Sequence, residues 1–151
     1  MHFQELAQNR YSVRSFQDKP IEEEKLNLIL EAGRLAPTAC NNQPQKIYVA
    51  NSEESRQKLA SVCRCTFGAP TILVVCYDRN RDWKNKLMPG LESGETDAAI
   101  VCTHMMLQAA DLGIGSCWVG YFNPRVVAQV LNLPEHITVS ALLPMGYPAE
   151  N

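Results

Sequence analysis

Apolar and polar positions recur along this chain with periods that separate helices from strands. Phe3 to Gln8 reads as a short opening helix. Leu26, Ile29, Leu30 and Gly33 fall at helical spacing behind the acids Glu22, Glu23 and Glu24, which suit the positive end of a helix dipole. The spacing therefore predicts a helix from about Glu22 to Leu35, stopped by Pro37. Lys46 to Ala50 reads as a strand, and Glu53 to Val62 as a helix with Ser52 as its N-cap. Thr71 to Tyr77 is an apolar, β-branched run bounded by Pro70 and Asp78, the signature of a buried central strand. Thr96 to Leu112 is apolar almost all round, which predicts a helix buried on every side, either central or closing a dimer interface. Asn123-Pro124 is an N-cap followed by proline at the first helical position and opens a helix through Leu131. Ile137 to Leu143 supplies the last strand. The polar stretch from Asp78 to Ser93 reads equally as a lid or as a plain surface connection. This order lacks the regular strand–helix alternation of a doubly wound fold and predicts an α+β sandwich on a mixed central sheet flanked by helices.

Composition narrows the class. The 151 residues hold no repeat and no linker, so one domain over residues 1–151 is expected. With 46% apolar and 20% charged residues the chain is neither disordered nor fibrous. A net charge of −2 without a basic block leaves no footprint for nucleic acid. No apolar run approaches the roughly 18 residues of a membrane span, and the polar start Met1 to Glu5 lacks a signal-peptide core, so a cytoplasmic location is expected. The six cysteines then read as buried or inert free thiols in a reducing compartment. Cys63-Arg64-Cys65 has neither the C-x-x-C redox spacing nor a second pair for zinc.

Three segments carry candidate chemistry. In Arg10-Tyr11-Ser12-Val13-Arg14, two guanidinium groups and a hydroxyl can converge on one anion, although two solvated surface arginines would look the same. Pro37-Thr38-Ala39-Cys40-Asn41-Asn42-Gln43-Pro44 sets amides and a hydroxyl between two prolines. Such a loop can read a heterocycle edge or be an ordinary turn after a helix. Gly113 to Phe122 places Gly113, Gly115 and Gly120 among aromatic residues, which would let backbone approach a flat ring and wall it. Its glycine spacing is not the dinucleotide fingerprint. No Ser/His/Asp arrangement can be assembled from His2, His104 and His136, and His104 reads as a core histidine. Glu92, Glu95 and Asp97 read as capping groups for the helix they precede or open, ahead of an acid–base pair.

Taken in order, these segments resemble the nitroreductase family of FMN enzymes. The resemblance runs through Arg10–Phe16, Ala32–Pro44 and Ala109–Gly120 and ends with Leu142-Leu143-Pro144-Met145-Gly146-Tyr147-Pro148. It implies a homodimer with FMN at the subunit interface, closed by the long helix. Arg10, Ser12 and Arg14 would hold the phosphate and the pyrimidine side of the flavin. Pro37, Thr38, Ala39, Asn41 and Gln43 would come from the partner subunit, and Trp118, Val119 and Gly120 would pass the ring near N5. The implied reaction is ping-pong: NADH or NADPH gives hydride to the flavin, and a nitroaromatic, quinone or similar acceptor then takes it. The same motifs fit a reductive dehalogenase, an enone reductase or a non-catalytic flavin-binding module. The cofactor carries the chemistry, so no catalytic side chain is expected. Family members continue past Gly-Tyr-Pro into a tail that brings a further basic residue. Here either Arg10 and Arg14 hold the phosphate alone or the sequence is truncated.

Overall fold

The computed structural model describes residues 2–149; Met1, Glu150 and Asn151, which entered the reading of the chain ends, lie outside the described residues. Helices α1 (Phe3–Asn9), α2 (Glu23–Leu35), α3 (Glu53–Val62), α4 (Gly94–Asp111) and α5 (Pro124–Val130) surround strands β1 (Gln45–Ala50), β2 (Thr71–Asp78), β3 (Gly115–Ser116) and β4 (Ile137–Gly146). The α+β class stands. The strands lie in the order β1-β2-β4-β3, and every ladder is antiparallel. The expected mixed character therefore survives only in one isolated parallel bridge, Ser12 with Ser116. No described helix is long and apolar enough to cross a membrane.

Local chemistry sets the helix ends much as the sequence predicts. The Ser52 side chain accepts from the Ser55 amide in a capping box, and the Asn123 side chain accepts from the Arg125 and Val126 amides with Pro124 at the first position. At the far end of α4, Gly113 takes φ 78°, its amide donates to Ala110 O and that of Ile114 to Ala109 O. This is a Schellman closure, which needs a residue without a Cβ penalty at that position.

The central strands are buried on both faces. Leu73 and Val75 of β2 face the layer of α2 and α4, where Ile29, Val101, Cys102 and Met105 pack, while Ile72, Val74 and Cys76 face Leu59 and Val127 of α3 and α5. On β4 this alternation changes phase. Ile137 and Val139 belong to the α3/α5 side, whereas Ala141, Leu143 and Met145 belong to the α2/α4 side. The register explains it: Val75 pairs with Ala141 but Cys76 with Val139, so Ser140 is an extra residue. A one-residue bulge inverts which parity points inward.

The long helix departs from its expectation of burial on every side. Ala98, Val101, Cys102, Met105 and Ala109 are buried, but Ile100, Met106 and Leu107 are half-buried and His104 is exposed. His104 is thus not a core residue of the protomer; its Nδ1 sits 3.1 Å from Ile100 O one turn back.

Deleting Ser140 should turn Ile137 and Val139 toward the wrong face and abolish soluble folded protein. Ser140→Ala, which keeps the bulge and loses one exposed hydrogen bond to Glu95, should cost no more than about 1 kcal/mol in urea unfolding.

Candidate functional site

Two of the three segments meet. After α1, Arg10 turns to extended backbone, Ser12 bridges Ser116, and the Val13 amide donates to Ser116 O at 2.9 Å. Val13 is buried against Gly115, where any Cβ would lie 2.6 Å from its Cγ2, so close backbone approach is what Gly115 supplies. In an extended segment alternate residues share a face. With Val13 inward, Ser12 and Arg14 stand on the open side, both exposed. Among the described residues neither Arg10 nor Arg14 has an acidic partner. Beside Arg10, a cavity of about 150 Å³ is lined chiefly by apolar groups, among them Leu6, Tyr11, Ile114 and Pro148.

The second half of the Arg10–Phe16 segment is fastened to the end of the fourth motif. Phe16 bridges Pro148, the Gln17 amide donates to Tyr147 O, and the Ala149 amide donates to Ser15 O. The Tyr147 hydroxyl accepts from Lys25 Nζ at 2.8 Å and donates to Glu22 at 2.6 Å. Those hydrogen bonds hold the Glu22 carboxyl below its ordinary value and raise the Lys25 ammonium above its own. Gly-Tyr-Pro is therefore a clamp between the start of α2 and the arginine segment.

Beyond β3 the edge is half paired. Cys117 donates to Pro144 O and Val119 exchanges both bonds with Leu142. Alternate amides of a strand point to opposite sides. Those of Trp118 and Gly120 thus face away from β4, and among the described residues no acceptor meets them. Of Trp118, Val119 and Gly120, only the first and last offer free donors. Trp118 is 38% exposed beside them.

The Pro37–Gln43 loop lies elsewhere. It leads into β1, so it sits at the opposite edge of the sheet from β3, three strand spacings or about 14 Å away. Along α4 the distance is larger: the Ala39 amide donates to Asp97 in its first turns, whereas Val13 docks beyond its last. The fourteen steps from Asp97 to Asp111 rise about 20 Å. Within the loop Cys40, Asn41 and Gln43 have φ of 52°, 54° and 53°. Left-handed conformations in residues with a Cβ cost on the order of 1–3 kcal/mol each and cluster at functional sites. The Gln43 amide closes the loop onto Thr38 Oγ1 at 3.0 Å. Pro37, Asn41 and Gln43 are exposed, and Thr38 and Ala39 are half-buried.

Sequence reasoning missed the roles of four acids. Asp82, not singled out, caps α4 by accepting from the Gly94 amide at 3.0 Å. The three acids read as caps do other work: Glu92 pairs with Lys84, Glu95 accepts from Ser140, and Asp97 is buried with Ala39 and Ser93 as its donors. The 82–93 segment folds as an internally bonded turn in which Asn85 Oδ1 accepts from the Leu87 and Met88 amides, leaving Leu87 97% exposed. Among the described residues no group of three His, Cys, Asp or Glu side chains could hold a metal ion.

Among the described residues, paired arginines without counter-ions, a free hydroxyl and an edge of unpaired amides form a donor set suited to an anion carrying a flat heterocycle. The nitroreductase family model matches residues 7–67 and 63–147, and this chain belongs to that family. An FMN reductase (NAD(P)H) of Bacillus subtilis is 30% identical over 156 residues, which cover 92% of this chain and 63% of that protein. The crystal structure of a nitroreductase family protein from Clostridium difficile superimposes with TM-score 0.96 at 39% identity, covering 100% of this chain and 87% of that one. An FMN-dependent nitroreductase of the same species gives TM-score 0.81 at 26% identity over 97% of this chain and 87% of its own.

The cysteines divide by exposure. Cys40 in the left-handed loop is exposed and Cys65 half-buried, while Cys63, Cys76, Cys102 and Cys117 are buried. Burial pushes the Cys76 and Cys102 thiols up to about 12. A thiol reagent at pH 8 should modify Cys40 first, and Cys76 and Cys102 only after denaturant is added; rapid labelling of either in native protein would contradict this packing.

Proposed function

We propose that the protein is an FMN-dependent oxidoreductase that uses NADH or NADPH to reduce nitroaromatics, quinones or similar small acceptors, working as a homodimer with the flavin at the subunit interface. The observation that carries this reading is the separation of the site segments. The arginine segment and the Trp118–Gly120 edge adjoin, while the Pro37–Gln43 loop lies across the sheet and about 20 Å along α4. A second copy related by a two-fold axis would bring its own loop to the first copy's edge, completing two equivalent sites. The half-buried outer residues of α4, Ile100, Met106 and Leu107, supply an apolar surface for that contact. The names of relatives add the cofactor and reductant, since they include an FMN reductase (NAD(P)H) and an FMN-dependent nitroreductase.

In this reading Arg10 and Arg14 hold the phosphate through charged hydrogen bonds and Ser12 adds a neutral donor. The Trp118 and Gly120 amides would be free to donate to the flavin near N5, and Val119 keeps them in place through its two bonds to Leu142. From the partner, the rigid Pro37 and the polar groups of Thr38, Asn41 and Gln43 read the heterocycle, with Ala39 as the fixed point of their loop. FMN, when bound, supplies hydride acceptance and donation, which is why no side chain is needed as nucleophile. Reductant and acceptor would then react in turn, a ping-pong order.

Purified protein should show a visible flavin spectrum that anaerobic NADH or NADPH bleaches, and should sediment as a dimer. Protein that takes up no FMN on reconstitution would sink the proposal. Arg14→Ala should weaken FMN binding about ten- to a hundredfold, the worth of one charged hydrogen bond. Lys58→Ala, which removes a charge on the remote α3 surface, should leave it unchanged. Equal losses would remove Arg14 from the phosphate site.

A further inference from the structure

We infer that Asp97 is a positioning residue for the flavin-facing loop, its buried carboxylate together with Ser93 holding residues 38–43 in the left-handed shape that meets the cofactor. This rests on the reading of that loop as a flavin contact.

The loop's own hydrogen bonds do not fix its place. Asn41 donates to Thr38 O, Asn42 to Ala39 O and Gln43 to Thr38 Oγ1, so all three close the loop on itself. Among the described residues, the bond from residues 37–43 to another element is that of the Ala39 amide to Asp97 Oδ1, at 3.0 Å. Left-handed Cys40, Asn41 and Gln43 follow directly. Such backbone persists only where the surroundings over-determine it.

Asp97 is placed for this and for little else. It is 1% exposed, and among the described residues no cation approaches it. A buried carboxylate without a counter-ion is a poor source of stability, because taking its charge out of water is costly. What it does supply is direction. Oδ1 takes the Ala39 amide, and Oδ2 takes the Ser93 hydroxyl at 2.7 Å. Ser93 is itself aligned, because its Oγ accepts from the Trp83 amide at 3.0 Å. The carboxylate sits in the opening turns of α4, where the helix dipole favours negative charge. A chain of hydrogen bonds thus runs from the 82–93 turn through Ser93 and Asp97 into the loop.

The test compares Asp97→Ala, Asp97→Asn, Ser93→Ala and the control Glu95→Gln, an exposed acid of the same helix turn. Amide hydrogen exchange of residues 38–43 is followed in protein stripped of flavin, and FMN affinity by fluorescence quenching. Asp97→Ala should speed exchange in the loop relative to α2 and raise the FMN Kd, each by at least about tenfold, as loss of a charged hydrogen bond predicts. Asparagine keeps a carbonyl oxygen for the Ala39 amide, so Asp97→Asn should return both to within about threefold of the unmodified protein. A merely structural role would lower Tm and leave the ratio of loop to α2 exchange unchanged. That ratio unchanged in Asp97→Ala overturns the inference and leaves the flavin assignment standing. Faster loop exchange with unchanged FMN affinity removes the loop from the flavin site, and the inference falls with that reading. Should Asp97→Ala not fold, Ser93→Ala decides: it must exceed Glu95→Gln in both measurements, and equal behaviour overturns the positioning role.

Discussion

Two strands buried on both faces over most of their length must satisfy their amides inside the sheet, because little solvent can reach them. β2 and β4 stand in that position, with helices on either side. Their antiparallel register sets where everything else can attach. It places β1 on one side and β3 on the other, and it carries the Ser140 bulge that lets one strand serve two cores. Pro144 lies within this register. Its missing N–H falls on the β3 side, where Cys117 still donates to its carbonyl, so the loss weakens the outer ladder and spares the central one. The edge that bears the arginine segment is thereby held by fewer bonds than the core it flanks.

α4 connects the two ends of the site. It packs on the sheet through small and apolar residues and closes at Gly113 so that Gly115 can meet Val13. At its opposite end the buried acids Asp82 and Asp97 tie down the turn before it and the loop across from it. One rigid element therefore sets the position of both the cation-bearing edge and the left-handed loop. Neither depends on a flexible linker, which is what the proposed site, assembled from two copies, would require, since an error at either end would be repeated in both sites.

Much of this was legible because helix caps and buried strands are local events. Ser52, Asn123-Pro124 and the Thr71–Tyr77 run each carry their instruction within a few residues, and the structure follows them closely. The pattern predicts a strand over Ile137–Leu143, and β4 runs on to Gly146 because pairing with β2 overrides the break that Pro144 suggests. β3 was invisible: Gly115 and Ser116 have no strand-forming side chains and are extended only because Gly146 and Met145 lie opposite. The antiparallel sheet and the Ser140 bulge are also products of pairing between distant segments. His104 is exposed although the apolar run predicts burial all round, because the rest of the protomer covers the side of α4 that bears Val101, Cys102 and Met105.

The site shows the same division. Arg10, Ser12 and Arg14 could be found as residues with suitable chemistry, but an anion site and two solvated arginines look alike until Ser12 is paired with Ser116. Asp97 reads from the sequence as a capping acid, and its bond to the Ala39 amide is not legible there, since that amide lies 58 residues away. What unites the parts is that, among the described residues, the fold leaves them unsatisfied or strained: arginines without acids, amides without acceptors, a loop in left-handed backbone. In the proposed reading, a hydrophobic sandwich holds such groups open so that a bound cofactor would complete the hydrogen bonding that the chain leaves unfinished and would itself carry the chemistry.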